Sequence, residues 1–337
     1  VLIILINKNV TLALITLLVF ISAAWFYSNF ESHWQQPKYP LMIAVSKTPL
    51  STPFYVAKAI GAFDETCVSV KFDEVVGGQR AFAKVMSGEV DFGTSSDSVI
   101  AFQSLANKAF VTHAMFVQSD NDVKLITRAS AKINSTMDLK GKEIGVTHGT
   151  ASEYFLSTLL ALEGLTTEDV ELYHYKPEQL VNGFINKDID AFLPWEPFGF
   201  QSAQLLNGQI KIHETKGLNT LSFNLISVTA DNLLVEKAKC VIQGLSIAMD
   251  YIASHPRESK QIVMDELKLT AEFIDWVWSD YIFKLGLNQS LMLSVESQAI
   301  WAVATQMTQF NEVPNIERFI DSRAMLQVMP NAVNIPQ

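Results

Sequence analysis

LMIAVS (residues 41–46), TPFYVAKAIGAF (52–63), VSVKFDEV (68–75), GGQRAFAKVMSG (77–88) and EVDFGTSSD (89–97) follow one another in the chain. Their apolar patterning reads in order as strand, helix, strand, helix, strand. The same order returns in EIGVTHG (143–149), ASEYFLSTLLALEGL (151–165), VELYHYKP (170–177), PEQLVNGFINKD (177–188) and IDAFLPWEP (189–197). The offset, roughly a hundred residues, exceeds the periods of solenoids and propellers. Two similar α/β lobes are therefore predicted, each with a parallel or mixed sheet covered by helices on both faces. Ligands of such sheets sit beyond the carboxyl ends of the strands. That rule selects four loops, 46–52, 94–98, 147–152 and 194–198, and points to a cleft between the lobes.

Other local signals fill in the order of elements. Thr48, Ser51 and Thr52 around Pro49 and Pro53 mark a helix start, since a hydroxyl cap followed by proline suits the first turn. Gly61 and Gly88 end the two helices of the first copy. VKLITRAS (123–130) reads as the strand that carries the chain from the first lobe to the second, and FNLISVTADNLL (223–234) as the return. Helices are predicted over 235–254, 256–267, 271–283 and 294–310, packing on the first lobe. The boundaries expected on this reading are 41–125 and 225–337 for lobe 1 and 126–224 for lobe 2, after a polar linker at 31–40.

Composition narrows the function classes. The chain of 337 residues is 49% hydrophobic and 18% charged, with a formal net charge of −10, which excludes a disordered chain. An acidic chain without a basic cluster argues against nucleic acid as a partner. Cys67 and Cys240 are the two cysteines, too few for a disulfide-dense scaffold or a cysteine-rich zinc site. One bond between them is compatible with an oxidising compartment, and the spacing alone leaves it open.

Residues 10–30, VTLALITLLVFISAAWFYSNF, carry no charge, and a run of that length can span a bilayer as a helix. Trp25, Phe26 and Tyr27 at its far end suit an interfacial aromatic belt. Small residues at Ser22 and Ala24 also suit a cleaved signal peptide. Residues 1–30 are thus expected to be a transmembrane anchor or a signal peptide, and the body to be exported. Lys8 ahead of the run fits an N-in, body-out orientation.

The sharpest chemical signal is THGTASEYF (147–155). Gly149 allows a tight turn. Thr150 and Ser152 can cap the following helix, with Glu153 placed as in a capping box. Helix-end N–H groups and the helix dipole then make an anion site. An ordinary capped helix fits the same residues. The first copy presents comparable hydroxyls at Ser51, Thr52, Ser95 and Ser96. In LPWEPF (193–198), Trp195 offers a flat wall and Glu196 an acceptor, between two prolines. A carboxylate at the site favours a ligand that also carries an amine or N–H donor. The alternative is that Trp195 is core and Glu196 a cap. Enzyme readings are weak. Six histidines are scattered, only His148 falls on a site loop, and neither a metalloprotease, serine-hydrolase, P-loop nor dinucleotide motif is present. No metal or cofactor is expected. Asp91 and Asp190 occupy matching strand positions and read as groups that order their own strand ends, whereas Asp97 lies on a site loop.

The run from 139 to 198, with G-x-x-S-E-Y, I-D-A-F and W-E-P in that order, together with PLSTPFYVAKAIGAFDE and SGEVDFGTSSD, strongly resembles the solute-binding proteins of nitrate/taurine/sulfonate ABC importers. That family also includes binders of pyrimidine thiamine precursors. The resemblance implies a two-lobed type II periplasmic-binding-protein fold that closes over one small organic anion or zwitterion. It implies an ABC permease as partner, a monomeric body on the periplasmic or extracellular side, and no catalysis. Carried over to this chain, the ligand-binding residues are Ser46, Thr48, Ser51, Thr52, Ser95, Ser96, Asp97, His148, Gly149, Thr150, Ala151, Ser152, Trp195 and Glu196, with residues 219–224 as a weaker candidate. The chain departs from its relatives in having Ser51 where an aromatic residue is common, and it lacks the cysteine-rich motif of the related pyrimidine-synthesising enzymes. No arginine falls in the four loops, which disfavours a doubly charged ligand. A membrane-anchored sensor on the same lobes is the alternative.

Overall fold

The structure is a computed structural model that describes residues 38–229 and 231–335, together with positions 17, 19, 20 and 22. Chain contacts divide into two units, Val1–Tyr39 and Pro40–Gln337. In the first, Leu17, Val19, Phe20 and Ser22 are helical. The rest of the expected anchor or signal at 10–30 lies outside the described residues. Among the described residues, no helix is long and apolar enough to cross a membrane.

The second unit carries the lobes. The chain first lays down β1 (Tyr39–Ser46), α1 (Thr52–Ala59), β2 (Val68–Val75), α2 (Gly78–Ser87), β3 (Phe92–Ser96), α3 (Asp97–Leu105) and β4 (Phe110–Ser119). It then crosses to β5 (Ile126–Arg128), β6 (Glu143–Val146), α4 (Ala151–Leu162), β7 (Glu171–His174), α5 (Pro177–Asn186), β8 (Ala191–Phe192), α6 (Phe198–Leu205) and β9 (Ile210–Ile212). It returns through β10 (Leu221–Val228), α7 (Asn232–Ser254), α8 (Pro256–Leu267), α9 (Ala271–Val277), β11 (Tyr281–Asn288), α10 (Gln289–Ala304), α11 (Arg323–Val328) and β12 (Val333–Asn334).

The predicted repeat is visible in the sheets. The seven-stranded sheet has the order β12-β11-β4-β10-β3-β1-β2, and the five-stranded sheet β7-β6-β8-β5-β9. In each, the first strand of the repeat lies between its second and third. β1 is parallel to β3, and β6 is parallel to both β7 and β8. Leu41, Ile43, Ala44 and Val45 of β1 are all buried, as expected of a parallel strand covered on both faces. Gly93 in β3 permits that cover. A Cβ there would come within 2.8 Å of the Val85 side chain and 3.1 Å of the Ala81 carbonyl, so only glycine lets α2 lie this close.

Four strands, β4, β9, β11 and β12, have no counterpart among the predicted strands. β11 begins where the helix predicted over 271–283 was to end. That helix stops at Val277, and Tyr281 and Phe283 instead pair with Ser119 and Val117 of β4. Aromatic residues suit a ladder. α10 starts earlier than predicted because the Asn288 side chain accepts from the Leu291 N–H. The late helices do not all keep to the first lobe. α7 packs on it, with Gly244 against Phe63. α9 reaches the second lobe, where Phe273 and Trp276 lie 5.1 and 5.8 Å, ring centre to ring centre, from Phe200 of α6.

Two connections, residues 120–125 and 213–220, join the sheets side by side. Gly217 N–H donates to the Asp120 carbonyl at 3.2 Å and His213 N–H to Leu125 at 3.0 Å. Cys67 and Cys240 are bonded, with Cα atoms 5.7 Å apart and a sequence separation of 173. The bond ties the start of β2 to α7. Chain-entropy reasoning for so wide a separation puts its contribution at about 2–5 kcal/mol. Adding reductant, or Cys67→Ser, is expected to lower the melting temperature. An unchanged transition in both would mean that the bond contributes nothing to stability.

Candidate functional site

A cavity of about 710 Å³ lies between the two sheets, within the range of small-molecule sites. Each parallel strand of both repeats sends its following loop to the wall. Lys47 and Thr48 come after β1, Gly77 to Arg80 after β2, and Ser96 ends β3. Thr147 to Ala151 follow β6, with Gly149 itself turned away. His174 to Pro177 close β7, and Trp195 follows β8. The crossing adds Asp122 and Val123, and β10 adds Leu221 and Phe223.

Of the residues expected at the site, Thr48, Ser96, His148, Thr150, Ala151 and Trp195 line this cavity. All three of their hydroxyls also cap helices. Thr48 Oγ1 accepts from Leu50 N–H at 3.4 Å, Ser96 Oγ from Val99 N–H at 3.3 Å, and Thr150 Oγ1 from Ser152 N–H at 3.3 Å. The other expected residues stand behind the wall. Ser46 hydrogen-bonds Thr94 of β3. Thr52 Oγ1 donates to the Pro49 carbonyl, Ser95 Oγ to Gly78 and Ser152 Oγ to Leu193. Ser51 is buried with its hydroxyl unpartnered among the described residues. Gly149, at φ +66°, turns the chain into α4, and its N–H donates to Glu153 Oε2 at 2.8 Å. The helix-start donor proposed for an anion is thereby occupied by the capping carboxylate.

Asp97 is buried. Its Oδ2 accepts from the Ser294 hydroxyl at 2.8 Å and its Oδ1 from Ser98 N–H at 2.9 Å, and burial pushes its carboxyl up to about 6. Glu196 is also buried. Phe200 N–H donates to Oε2 at 2.9 Å, Trp276 Nε1–H to Oε1 at 2.7 Å, and the buried Lys124 ammonium lies 3.4 Å from Oε1. It fastens the crossing and α9 to the second lobe rather than facing the cavity.

The sequence reading misses two whole loops and two residues of the crossing, Asp122 and Val123. The second strand of each copy lies beside the first, so the loops after β2 and β7 reach the wall as well. The repeat itself carried that signal. Arg80 is therefore a cavity residue, paired with Glu178 of the second lobe at 2.5 Å. Gln79 donates to the Gly149 carbonyl at 3.1 Å. These contacts clasp the lobes at the rim. On the inner wall two buried polar atoms have no partner among the described residues, Asp122 Oδ2 and Thr147 Oγ1. Asp122 Oδ1 accepts from the Tyr281 hydroxyl at 2.8 Å. Burial, then the nearby charge of Glu196, push its carboxyl up to about 7 against the pull of that hydrogen bond. Trp195 stands near by, its backbone bridged to Val123.

Comparison with known proteins agrees with this architecture. The NMT1/THI5-like family model matches residues 48–259. A Brucella abortus (strain 2308) protein assigned as a binding protein is 24% identical over 187 residues, 54% of this chain and 57% of that one. A Bacillus subtilis (strain 168) protein assigned to aliphatic-sulfonate binding is 26% identical over 151 residues, 44% of this chain and 46% of that one. The chain thus spans about half the length of the curated relatives it matches. Among solved structures, the periplasmic aliphatic sulphonate-binding protein SsuA of Escherichia coli superposes with a TM-score of 0.70 at 19% identity, over 84% of this chain and 97% of that one. The shared fold is the two-lobed periplasmic-binding-protein fold.

Proposed function

This chain belongs to the NMT1/THI5-like family, and we propose that it is the extracytoplasmic substrate-binding protein of an ABC importer, holding a small organic anion or zwitterion between its lobes. The observation that carries the reading is the pair of buried, unpartnered atoms on the cavity wall, Asp122 Oδ2 and Thr147 Oγ1. A buried acceptor or hydroxyl without a partner is costly unless a ligand completes it. The wall carries both signs, Asp122 against Lys47, Arg80 and Lys176, which suits a zwitterion. Trp195 and Phe223 supply apolar faces. A cavity of about 710 Å³ is roomy for nitrate or bicarbonate and better filled by an organic sulfonate. The sulfonate names of the Bacillus and Escherichia relatives point the same way.

On this reading the lobes, expected at 41–125 with 225–337 and at 126–224, close about the two connections, with the whole of β10 from Leu221 belonging to the first. The Arg80–Glu178 and Gln79–Gly149 contacts hold the closed form, and binding rather than turnover is the activity. The ligand residues are Thr48, Ser96, His148, Thr150, Ala151 and Trp195 from the first expectation, with Asp122, Thr147 and Arg80 added. The protein would work as a monomer on the outer face of the membrane, with residues 10–30 as tether or signal, and would hand its ligand to a permease. An aminopyrimidine ligand is the second reading, favoured by the free Asp122 oxygen as an acceptor for ring amines.

Calorimetric titration with taurine, longer alkanesulfonates, nitrate and aminopyrimidines tests both. One-to-one binding of a sulfonate at micromolar or tighter affinity, about −8 kcal/mol, is expected. Trp195→Ala should weaken it at least about tenfold, because aromatic anchors dominate such sites, while Trp195→Phe should retain most of it. Silence toward every sulfonate, with a folded protein, would reject the importer reading for that class.

A further inference from the structure

We propose that His148, Glu153 and His174 form a binding site for one divalent transition-metal ion of the zinc class, opening onto the cavity. His148 lies just after β6 and His174 ends β7, and these neighbouring parallel strands pair Val146 with His174. Glu153 is in the first turn of α4 and is fully buried. Its Oε1 is 2.7 Å from His174 Nε2, and its Oε2 is 3.1 Å from His148 Nδ1. The three ligand atoms all lie within 4.8 Å of one another.

Two imidazole nitrogens and one carboxylate oxygen are a common protein donor set for zinc that keeps an open position. Around an ion bonded at about 2.0–2.1 Å, tetrahedral ligands stand roughly 3.3 Å apart; the two carboxylate–imidazole separations, 2.7 and 3.1 Å, are shorter, so both rings must swing outward slightly to admit the ion. The carboxylate is held from behind by Gly149 N–H at 2.8 Å, and Gln79 fixes the Gly149 carbonyl in turn. Such outer contacts are what orient a metal ligand. The two rings are half exposed and both line the cavity. The remaining coordination position therefore faces the space where a ligand would sit, and an oxygen of an anionic ligand or a water would fill it. The same three groups can instead be a carboxylate flanked by two hydrogen-bonding imidazoles, and binding of the metal alone distinguishes the two.

The experiment uses the full chain, stripped with chelator and titrated with Zn²⁺ by calorimetry and with Co²⁺ by visible absorption. One equivalent is expected, with cobalt bands of a low-coordinate nitrogen and oxygen site. His148→Ala and His174→Ala should each weaken binding at least about tenfold and leave the thermal transition in place, since both rings are half exposed. His255→Ala, remote in sequence and on another element, should bind as the parent does. No binding by the parent, or equal binding by the His148 and His174 variants, would overturn the site. Metal binding by a chain that ignores every sulfonate would leave this inference standing and remove the sulfonate reading; sulfonate binding without metal binding would do the opposite.

Discussion

Lys124→Met is expected to lower the unfolding free energy by about 3–5 kcal/mol, the cost of leaving one member of a buried ion pair alone. Lys124 and Glu196 are both buried, with Nζ and Oε1 3.4 Å apart. The ammonium also donates to the Asn121 carbonyl and stands 5.7 Å from the centre of the Trp276 ring. Methionine keeps the stem's bulk and removes all three interactions. Glu196 would retain its bonds from Phe200 and Trp276 but lose its counter-charge. Replacing both charges, as Lys124→Met with Glu196→Gln, should recover most of the loss, because a neutral buried pair no longer carries the desolvation penalty. Urea titration of the two variants reads this directly. A loss below about 1 kcal/mol in Lys124→Met would show the pair to be energetically like an exposed one.

Asp122→Asn is expected to weaken an amine-bearing ligand by about ten- to a hundredfold, since a hydrogen bond to a charged group is worth about 1.5–3 kcal/mol, and to remove a pH dependence. In the fold the Asp122 carboxyl is pushed up to about 7, against about 3.9 in the unfolded chain. Between those values the folded state holds a proton that the unfolded state has released. The stability that this proton contributes is fully present below about 3.9 and is lost as pH rises through about 7. Binding runs the other way. Above pH 7 the free Oδ2 is a charged acceptor, so affinity for an amine should rise from pH 6 to pH 8. Asparagine should flatten both profiles. A parent protein whose amine affinity is level across that range would rule out Asp122 as the anchor.

The repeat was legible because apolar strands and capped helices alternate twice with the same punctuation, and β-α-β-α-β chemistry has few other solutions. What the hydroxyls do was less legible. A serine or threonine before a helix serves equally as cap and as ligand contact. At Thr48, Ser96 and Thr150 the helix N–H groups take the side-chain oxygen. Glu196 misleads for a related reason, since a carboxylate beside an aromatic in a proline-bracketed loop has the composition of a site. Only the fold brings Lys124 and Trp276 to it from 72 and 80 positions away along the chain. Asp122 was invisible, as it sits in the polar run between two strands, without a motif, and owes its place to where the crossing passes. Pairing of Cys67 with Cys240 depended on a Cα separation that no local pattern encodes.

That bond has a topological result. Residues 67 to 240 form a closed covalent ring, and the entire second sheet, both connections and every cavity-lining residue from Val76 onward belong to it. A protease that nicks one exposed loop anywhere inside opens the ring without releasing a fragment. The two pieces would then stay linked through Cys67 and Cys240 on a non-reducing denaturing gel, and part only when thiol is added.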